Sequence, residues 1–332
     1  MKVLAILVPE GCVLATVSGP RQMFTAVNQF LVNQGREPLF DLKLVGLNKE
    51  VRLMDGLVTI FPDWQLAEAN DADVIIVPAL SGDLIVSLEQ NQAFVPWIIA
   101  QHARGAEVAS LCIGAFLLGS TGLLAGKYCS THWMFAQQFR TMFPDAVLMD
   151  DKIITEQNGI YTSGGANSYW NLLLYLVEKY VDREMAVLAA KFFALDIDRN
   201  GQSAFVIFTG QKDHGDPQVK SAQEFIETHY QDRIRVEDLA DLVGIGRRTF
   251  ERRFKKATTN SVVEYIQRVK IEAVKKQLES GRKSVSELMY EVGYADSKAF
   301  REVFKKVAGI SPNDYRNKYQ KRTEILGVDV AG

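Results

Sequence analysis

The chain has 332 residues, 47% of them hydrophobic, with 38 basic and 40 acidic side chains. That length predicts two or three domains with ordinary buried cores, and the lack of any uncharged apolar run of about 18 residues excludes a spanning helix. The near-neutral total hides a division: residues 1–214 carry 15 basic and 22 acidic groups, net −7, and residues 215–332 carry 23 and 18, net +5. An acidic first part joined to a basic second part is expected where one domain meets nucleic acid.

The opening MKVLAILVPEG has one lysine and too short an apolar run for a signal peptide, and reads as a buried strand over 3–8. Further strands are expected at 42–47, 74–77, 108–111, 146–148, 153–155 and 160–162. Helical patterns lie between and after them at 19–34, 91–104, 112–122, 132–143 and 166–180. Such alternation predicts a parallel sheet covered on both faces. Ligands of such sheets sit beyond the carboxyl ends of the strands, which should gather 9–16, 80–83, Cys112 and 163–167. Cys12, Cys112 and Cys129 have no metal-ligand spacing and fit reduced thiols in a cytoplasm. No metal or cofactor is expected.

VASLCIGAFLLGSTG, residues 108–122, reads as strand, tight turn and helix with Cys112 at the turn, the build of a nucleophile elbow. Cys112 is either a catalyst or the floor of a pocket. Catalysis needs a base within reach, and the nearest candidate is His132 in CSTHWMF, followed by Trp133, which lines a pocket or fills the core.

SLCIGAFLLGSTGLLAGKYCSTHW (110–133), SGPRQMF (18–24) and YTSGGANSYWNLLLYLVEKY (161–180) together resemble the PfpI-like, class I glutamine amidotransferase-like domains. The resemblance is to the GlxA-type branch that precedes a DNA-binding module. It implies a flavodoxin-like α/β sandwich over 1–185 that dimerises and senses a ligand. Two departures stand out. Catalytic members often carry a histidine directly after the cysteine, where this chain has Ile113, and the branch usually has an aspartate where, aligned on Gly19-Pro20, this chain has Thr16. A hydroxyl is no general base near neutral pH, although it can bond a ligand. The expectation is therefore a non-catalytic pocket of Thr16, Cys112, Ile113, His132, Trp133, Gly165 and Tyr169. Regulators of this branch resemble sensors of amino acids or quaternary amines, and Trp133, Tyr169 and Trp170 are candidate walls for a cation–π cage. One of Tyr169 and Trp170 is expected to be buried in the helix face instead.

Residues 186–217 read as a linker, helical at first and broken at 198–201, with TGQKDHGDPQ (209–218) as a boundary signal. From 218 to 320 the pattern is helical. Leu239, Ala240 and Val243 form one apolar face, Gly244 ends that helix, and a second helix at 247–257 has Phe250 and Phe254 four apart. Two helices joined by so short a turn make a helix-turn-helix. A copy follows about fifty residues on: TFERRFKK and AFREVFKK align without gaps, with Gly293 and the pair Phe300 and Phe304 repeating. An internal repeat is strong evidence of architecture, and 261–280 would join the units. Residues 321–332 read as a tail. GYADSKAFREVFKKVAGISPNDYR is similar to the signature of the AraC-type DNA-binding domain.

Opposite the phenylalanines, the first unit presents Arg247, Arg248, Glu251 and Arg252, and the second Ser297, Lys298, Arg301 and Glu302. Arginine bridges the two acceptors of guanine, and glutamate accepts from cytosine N4. Lys255, Lys256, Lys305 and Lys306 suit phosphate or solvent. The sequence thus reads as a cytoplasmic, homodimeric transcription regulator that binds promoter DNA under control of a small metabolite. The resemblance further implies activation through RNA polymerase. The alternative is a thiol-dependent hydrolase or glyoxalase-like enzyme using Cys112, with an appended DNA-binding domain.

Overall fold

A computed structural model describes residues 1–320 apart from 70, 197–200, 213 and 282. The tail at 321–332 and most of the break expected at 198–201 lie outside the described residues. The chain divides into two compact units, Met1–Gln202 and a second beginning at Ser203.

In the first unit β1 (Lys2–Val8) is followed by α1 (Leu14–Asn33) and β2 (Phe40–Gly46), then β3 (Val51–Leu53), β4 (Val58–Ile60), β5 (Trp64–Gln65) and β6 (Val74–Val77). Helices α2 (Leu84–Gln90) and α3 (Phe94–Ala103) lead to β7 (Glu107–Ser110), α4 (Ala115–Gly119), β8 (Tyr128–Cys129) and α5 (Ala136–Met142). After β9 (Val147–Leu148), β10 (Ile154–Gln157) and β11 (Ile160–Ser163) come α6 (Tyr169–Tyr180) and α7 (Arg183–Phe192). The main sheet runs β10-β11-β7-β6-β1-β2-β5, with only β10 antiparallel to its neighbour. Successive residues of a strand face opposite ways. Leu4, Ile6 and Val8 therefore meet α1, α6 and α7, while Ala5 and Leu7 meet the side holding α3, α4 and α5. Both faces of β1 are buried, which is why its sequence is a continuous apolar run.

Three local departures from the periodicity have physical causes. Helix α1 begins at Leu14 rather than 19, because Val13 N–H donates to Ala79 O (2.8 Å) and Thr16 Oγ1 accepts from Ala79 N–H (3.0 Å), so its first turn is fixed ahead of Pro20. At Cys112–Gly114 there is a 3-10 turn before the short α4, not one long helix. Between β2 and β6 an antiparallel hairpin, β3–β4, turns through Met54 and Asp55, both at φ 54°.

At the other end of the sheet, Glu107 accepts from Lys179 Nζ (2.5 Å), Tyr161 Oη (3.1 Å) and Tyr180 Oη. Burial alone would raise its pKa, but these hydrogen bonds hold the carboxyl below the usual range. The stabilisation is present above the ordinary glutamate pKa of about 4.3 and is lost as pH falls through and below it. Glu107→Gln should flatten the acid limb of the first unit's stability curve. An acid-unfolding midpoint identical in slope and position to wild type would reject that assignment.

The second unit is helical: α8 (Pro217–Thr228), α9 (Val236–Leu242), α10 (Arg247–Thr258), α11 (Val262–Ser280), α12 (Val285–Glu291), α13 (Ser297–Ala308) and α14 (Pro312–Tyr319). Gly244 and Gly293, at φ 66° and 76°, sit in the turns α9–α10 and α12–α13, where a left-handed residue reverses the chain at least cost. Phe250 and Phe254 belong to one core, Phe300 and Phe304 to another. Helix α11 serves both, giving Tyr265 and Ile266 to the first core and Ile271, Val274 and Leu278 to the second.

Candidate functional site

The elbow forms where β7 ends. Cys112 holds φ 54°, a left-handed conformation rare for a side-chain-bearing residue and a form of strain found at functional sites. Two residues on, Gly114 fits because a Cβ there would stand 2.5 Å from the carbonyl oxygens of both Val77 and Pro78. Cys112 N–H donates to Ser163 Oγ (3.2 Å), and Thr131 Oγ1 donates to Cys112 O (3.2 Å). These bonds bring the ends of β7 and β11 and the segment after β8 to one place, with Ile113 and His132 next in the chain and Gly165 and Trp133 two residues on. Ser163 opens the 163–167 stretch that the strand pattern places beside Cys112, whereas nothing in the sequence points to Thr131. Thr131 lies in a short polar stretch with no periodic signal.

The chemistry at the elbow is subdued. Burial pushes the Cys112 thiol up to about 11, despite the opposing backbone hydrogen bond at Ile113. Because the thiolate is the nucleophile, Cys112 should alkylate with a pH midpoint well above the 8.5 or so of a free thiol. Peptide mapping of iodoacetamide-treated protein across pH checks this, and a midpoint near or below 8 would overturn it. His132 is half-buried and its pKa is lowered by that burial. Its Nδ1 accepts from Met134 N–H (3.2 Å), which assigns the ring proton to Nε2. Trp133 is half-buried beside it, with ring centroids 5.4 Å apart.

Thr16 and Tyr169 form a second group. Thr16 is 2% exposed, and its hydroxyl donates to Val13 O (2.7 Å) while accepting from Ala79 N–H. Tyr169 is 3% exposed and donates to Ala15 O (3.1 Å); Trp170, half-buried, stacks on it with centroids 5.2 Å apart. Beside this group a cavity of about 900 Å³ opens between the turn Gly11–Ala15, Ser81 and the hairpin tip at 52–56. It lies beyond the carboxyl ends of β1 and β6, as the sheet topology requires. None of the predicted pocket residues lines the cavity; Thr16 follows the lining residue Ala15, and Tyr169 bonds the Ala15 carbonyl. The hairpin wall was legible in principle from Asp55-Gly56, a turn dipeptide between short β-branched runs.

In the second unit the candidate DNA-reading side chains are mostly exposed. Arg247, Arg248 and Arg252 on α10, and Ser297, Lys298, Arg301 and Glu302 on α13, are exposed, and Glu251 is half-buried. Arg247 is held by Glu237 and by Glu251 (3.2 Å). Arg253, on the same helix, is bound by both carboxylate oxygens of Asp216 (2.7 and 2.8 Å) and by Gln218, which makes it a brace for α8. Helix α13 is capped by Asp296, whose side chain accepts from Lys298 N–H (2.7 Å) and Ala299 N–H (3.3 Å).

The DJ-1/PfpI family matches residues 4–179, and a helix-turn-helix domain matches residues 239–318. The chain belongs to the DJ-1/PfpI family. Its second unit is an AraC-type helix-turn-helix domain, and the chain is a DNA-binding transcription regulator. It is 25% identical over 274 residues to the HTH-type transcriptional regulator GbdR of Pseudomonas aeruginosa, covering 81% of this chain and 72% of that protein. Over 116 residues it is 31% identical to isonitrile hydratase of Pseudomonas putida, 35% of this chain and 49% of that one. A THiJ/PfpI family protein from Pseudomonas syringae shares the fold, with a TM-score of 0.50 at 18% identity over 73% of this chain and 90% of that chain. No described helix is long and apolar enough to cross a membrane.

Proposed function

We propose that the first unit is a non-catalytic sensor, and that a small metabolite bound at the carboxyl ends of β1, β6 and β7 controls DNA binding by the second. The observation that carries this is a cavity of about 900 Å³ beyond the carboxyl ends of β1 and β6, in a unit whose elbow thiol is buried; its size suits a metabolite. Thr16 stands where an acid would act and has its hydroxyl committed to the backbone. An amino acid or a quaternary amine is the favoured effector class. Arg248, Glu251, Arg252, Ser297, Lys298, Arg301 and Glu302 read base edges, and Arg247 holds Glu251 in place. On this reading the protein works in the cytoplasm as a homodimer and activates through RNA polymerase.

Thermal unfolding of the full chain against amino acids, polyamines, betaine-like amines and small carbonyls tests the reading, in wild type and Cys112→Ala. A ligand at a hundred times its dissociation constant adds about 2.7 kcal/mol to the first unit. Equal shifts in both proteins, with the compound recovered unchanged, are expected. The match to isonitrile hydratase supports a second reading, thiol chemistry at Cys112. A compound consumed by wild type and spared by Cys112→Ala would establish it.

A further inference from the structure

The first unit ends on a buried side chain. Gln202 is wholly buried, and its Nε2 donates to the carbonyls of Asp150 (2.9 Å), Thr131 (3.1 Å) and Lys152 (3.3 Å), while its backbone N–H donates to Asp151 O (3.0 Å). Three carbonyl acceptors fix which end of the carboxamide is nitrogen. Oε1 is left buried without a protein partner, against Gly164 and Gly165. Thr131 is the residue whose hydroxyl holds Cys112 O. A connected set of hydrogen bonds therefore runs from the elbow to the last residue of the unit.

The second unit begins on a strap that is anchored from its first residues. Ser203 lies against Gly309 at the end of α13, and Phe205 meets Tyr319 of α14 edge-on at 6.2 Å. Lys275 Nζ donates to Val206 O, and Phe208 N–H donates to Glu272 Oε2 (3.2 Å). Lys275 and Glu272 are themselves a buried pair at 2.8 Å. Phe208 then packs edge-on against Tyr265 (5.1 Å) in the first core. Finally Gln211 O accepts from Gln223 Nε2 (2.9 Å), and its side-chain oxygen accepts from Asn260 Nδ2 (3.1 Å). The strap thus touches both helix-turn-helix halves. Between Gln202 and Ala204, both buried, only one residue intervenes.

We propose that Gln202 and the strap 203–212 are the element that passes the state of the sensor to the two DNA-binding halves. Free linkers absorb motion, whereas a junction tied down on both sides transmits it along the covalent chain. A change at the elbow or at Gly164–Gly165 alters the seat of Gln202, and the strap then biases both cores at once. Gln202 is a positioning residue in this scheme, which rests on the ligand-control reading above. Spatial continuity alone does not prove coupling, so the test measures coupling directly, using the reciprocity that linkage demands.

Full-length wild type would first select its own duplex from a random library of about 40 base pairs, roughly four helical turns. Hydrogen exchange of the full chain is then compared with and without that duplex, in wild type, in Gln202→Ala, and in a variant with a short Gly-Ser insert after Gln202. In wild type the duplex should change exchange across 148–165. The insert should abolish that change while duplex affinity stays within about threefold and both units unfold as before. Gln202→Ala should shrink the change severalfold. Retention of the full change in the insert variant, or no change in wild type, would overturn the proposal. The probe is DNA alone, so a failure of ligand control would appear in the metabolite panel and not here.

Discussion

Phe254→Ala is expected to remove about 3–5 kcal/mol from the second unit, the usual result of deleting a fully buried phenylalanine. Phe254 has no exposed surface and packs edge-on against Phe250 (5.5 Å) and Tyr265 (5.3 Å). Tyr265 is on α11, which also supplies the second core, so damage should not stay local. Buried Lys270, on the same helix, donates to Asp232 O (2.9 Å) and Val292 O (2.6 Å) and so ties the turn of the second helix-turn-helix to the loop after α8. Both halves should therefore unfold in one step, and Phe304→Ala should destabilise them by a similar amount. Domain stabilities are typically only 5–15 kcal/mol, so the substitution would remove a large share of the second unit's stability. The first unit has its own two cores, and its transition should not move. Denaturant titration with separate probes for the two units decides the matter. A loss below about 1 kcal/mol would mean that the pocket around Phe254 collapses without cost, contrary to the packing seen.

The repeat in the second unit was readable because its two copies share one physical problem. Each must bury a pair of aromatic rings one helical turn apart and leave the opposite face polar, so spacing alone located α10 and α13. The central strands β1 and β6 were readable for a similar reason, burial on both faces leaving a continuous apolar run, whereas the two-residue β5 at the sheet edge left no such run. What periodicity could not supply were contacts made by polar side chains over long separations. Thr16 is a candidate ligand contact by its place ahead of Gly19-Pro20, yet its bond to Ala79 N–H spans 63 residues and has no local signature. Gln202 reaches Thr131 across 71 residues in the same silent way. The linker expected at 186–217 shows the limit from another side. Helix α7 carries an amphipathic pattern and belongs to the first unit, whereas the strap 203–212 is held by Phe205, Phe208 and Gln211 and by Lys275 and Glu272 of α11, contacts over long separations with no helical or strand period. The elbow is intermediate: strand, small residues and helix announced the turn, but the left-handed backbone of Cys112 and its buried thiol are tertiary facts.

Arg248→Ala and Lys298→Ala together should weaken binding to the selected duplex far more than either alone. The two residues occupy equivalent places in the repeat, each second in its recognition helix, where side chains reach base edges. Each base-reading contact contributes about 1–3 kcal/mol. They lie on helices with separate cores and share no partner in the described contacts, so the effects should add. The expected loss is about 2–6 kcal/mol, or roughly 30-fold to 10⁴-fold in dissociation constant. Arg247→Ala should cost less than Arg248→Ala, because its guanidinium is already engaged by Glu237 and Glu251 and acts through the latter. Lys255→Ala and Lys305→Ala should behave differently again. As exposed phosphate contacts they should weaken binding to all sequences alike, and each should reduce the salt slope by about one. Affinity measured against salt, on the selected duplex and on a scrambled one, separates the two classes. A double variant that binds the selected duplex within about threefold of wild type would remove Arg248 and Lys298 from the reading surface, and with them the assignment of base readout to the first turns of α10 and α13.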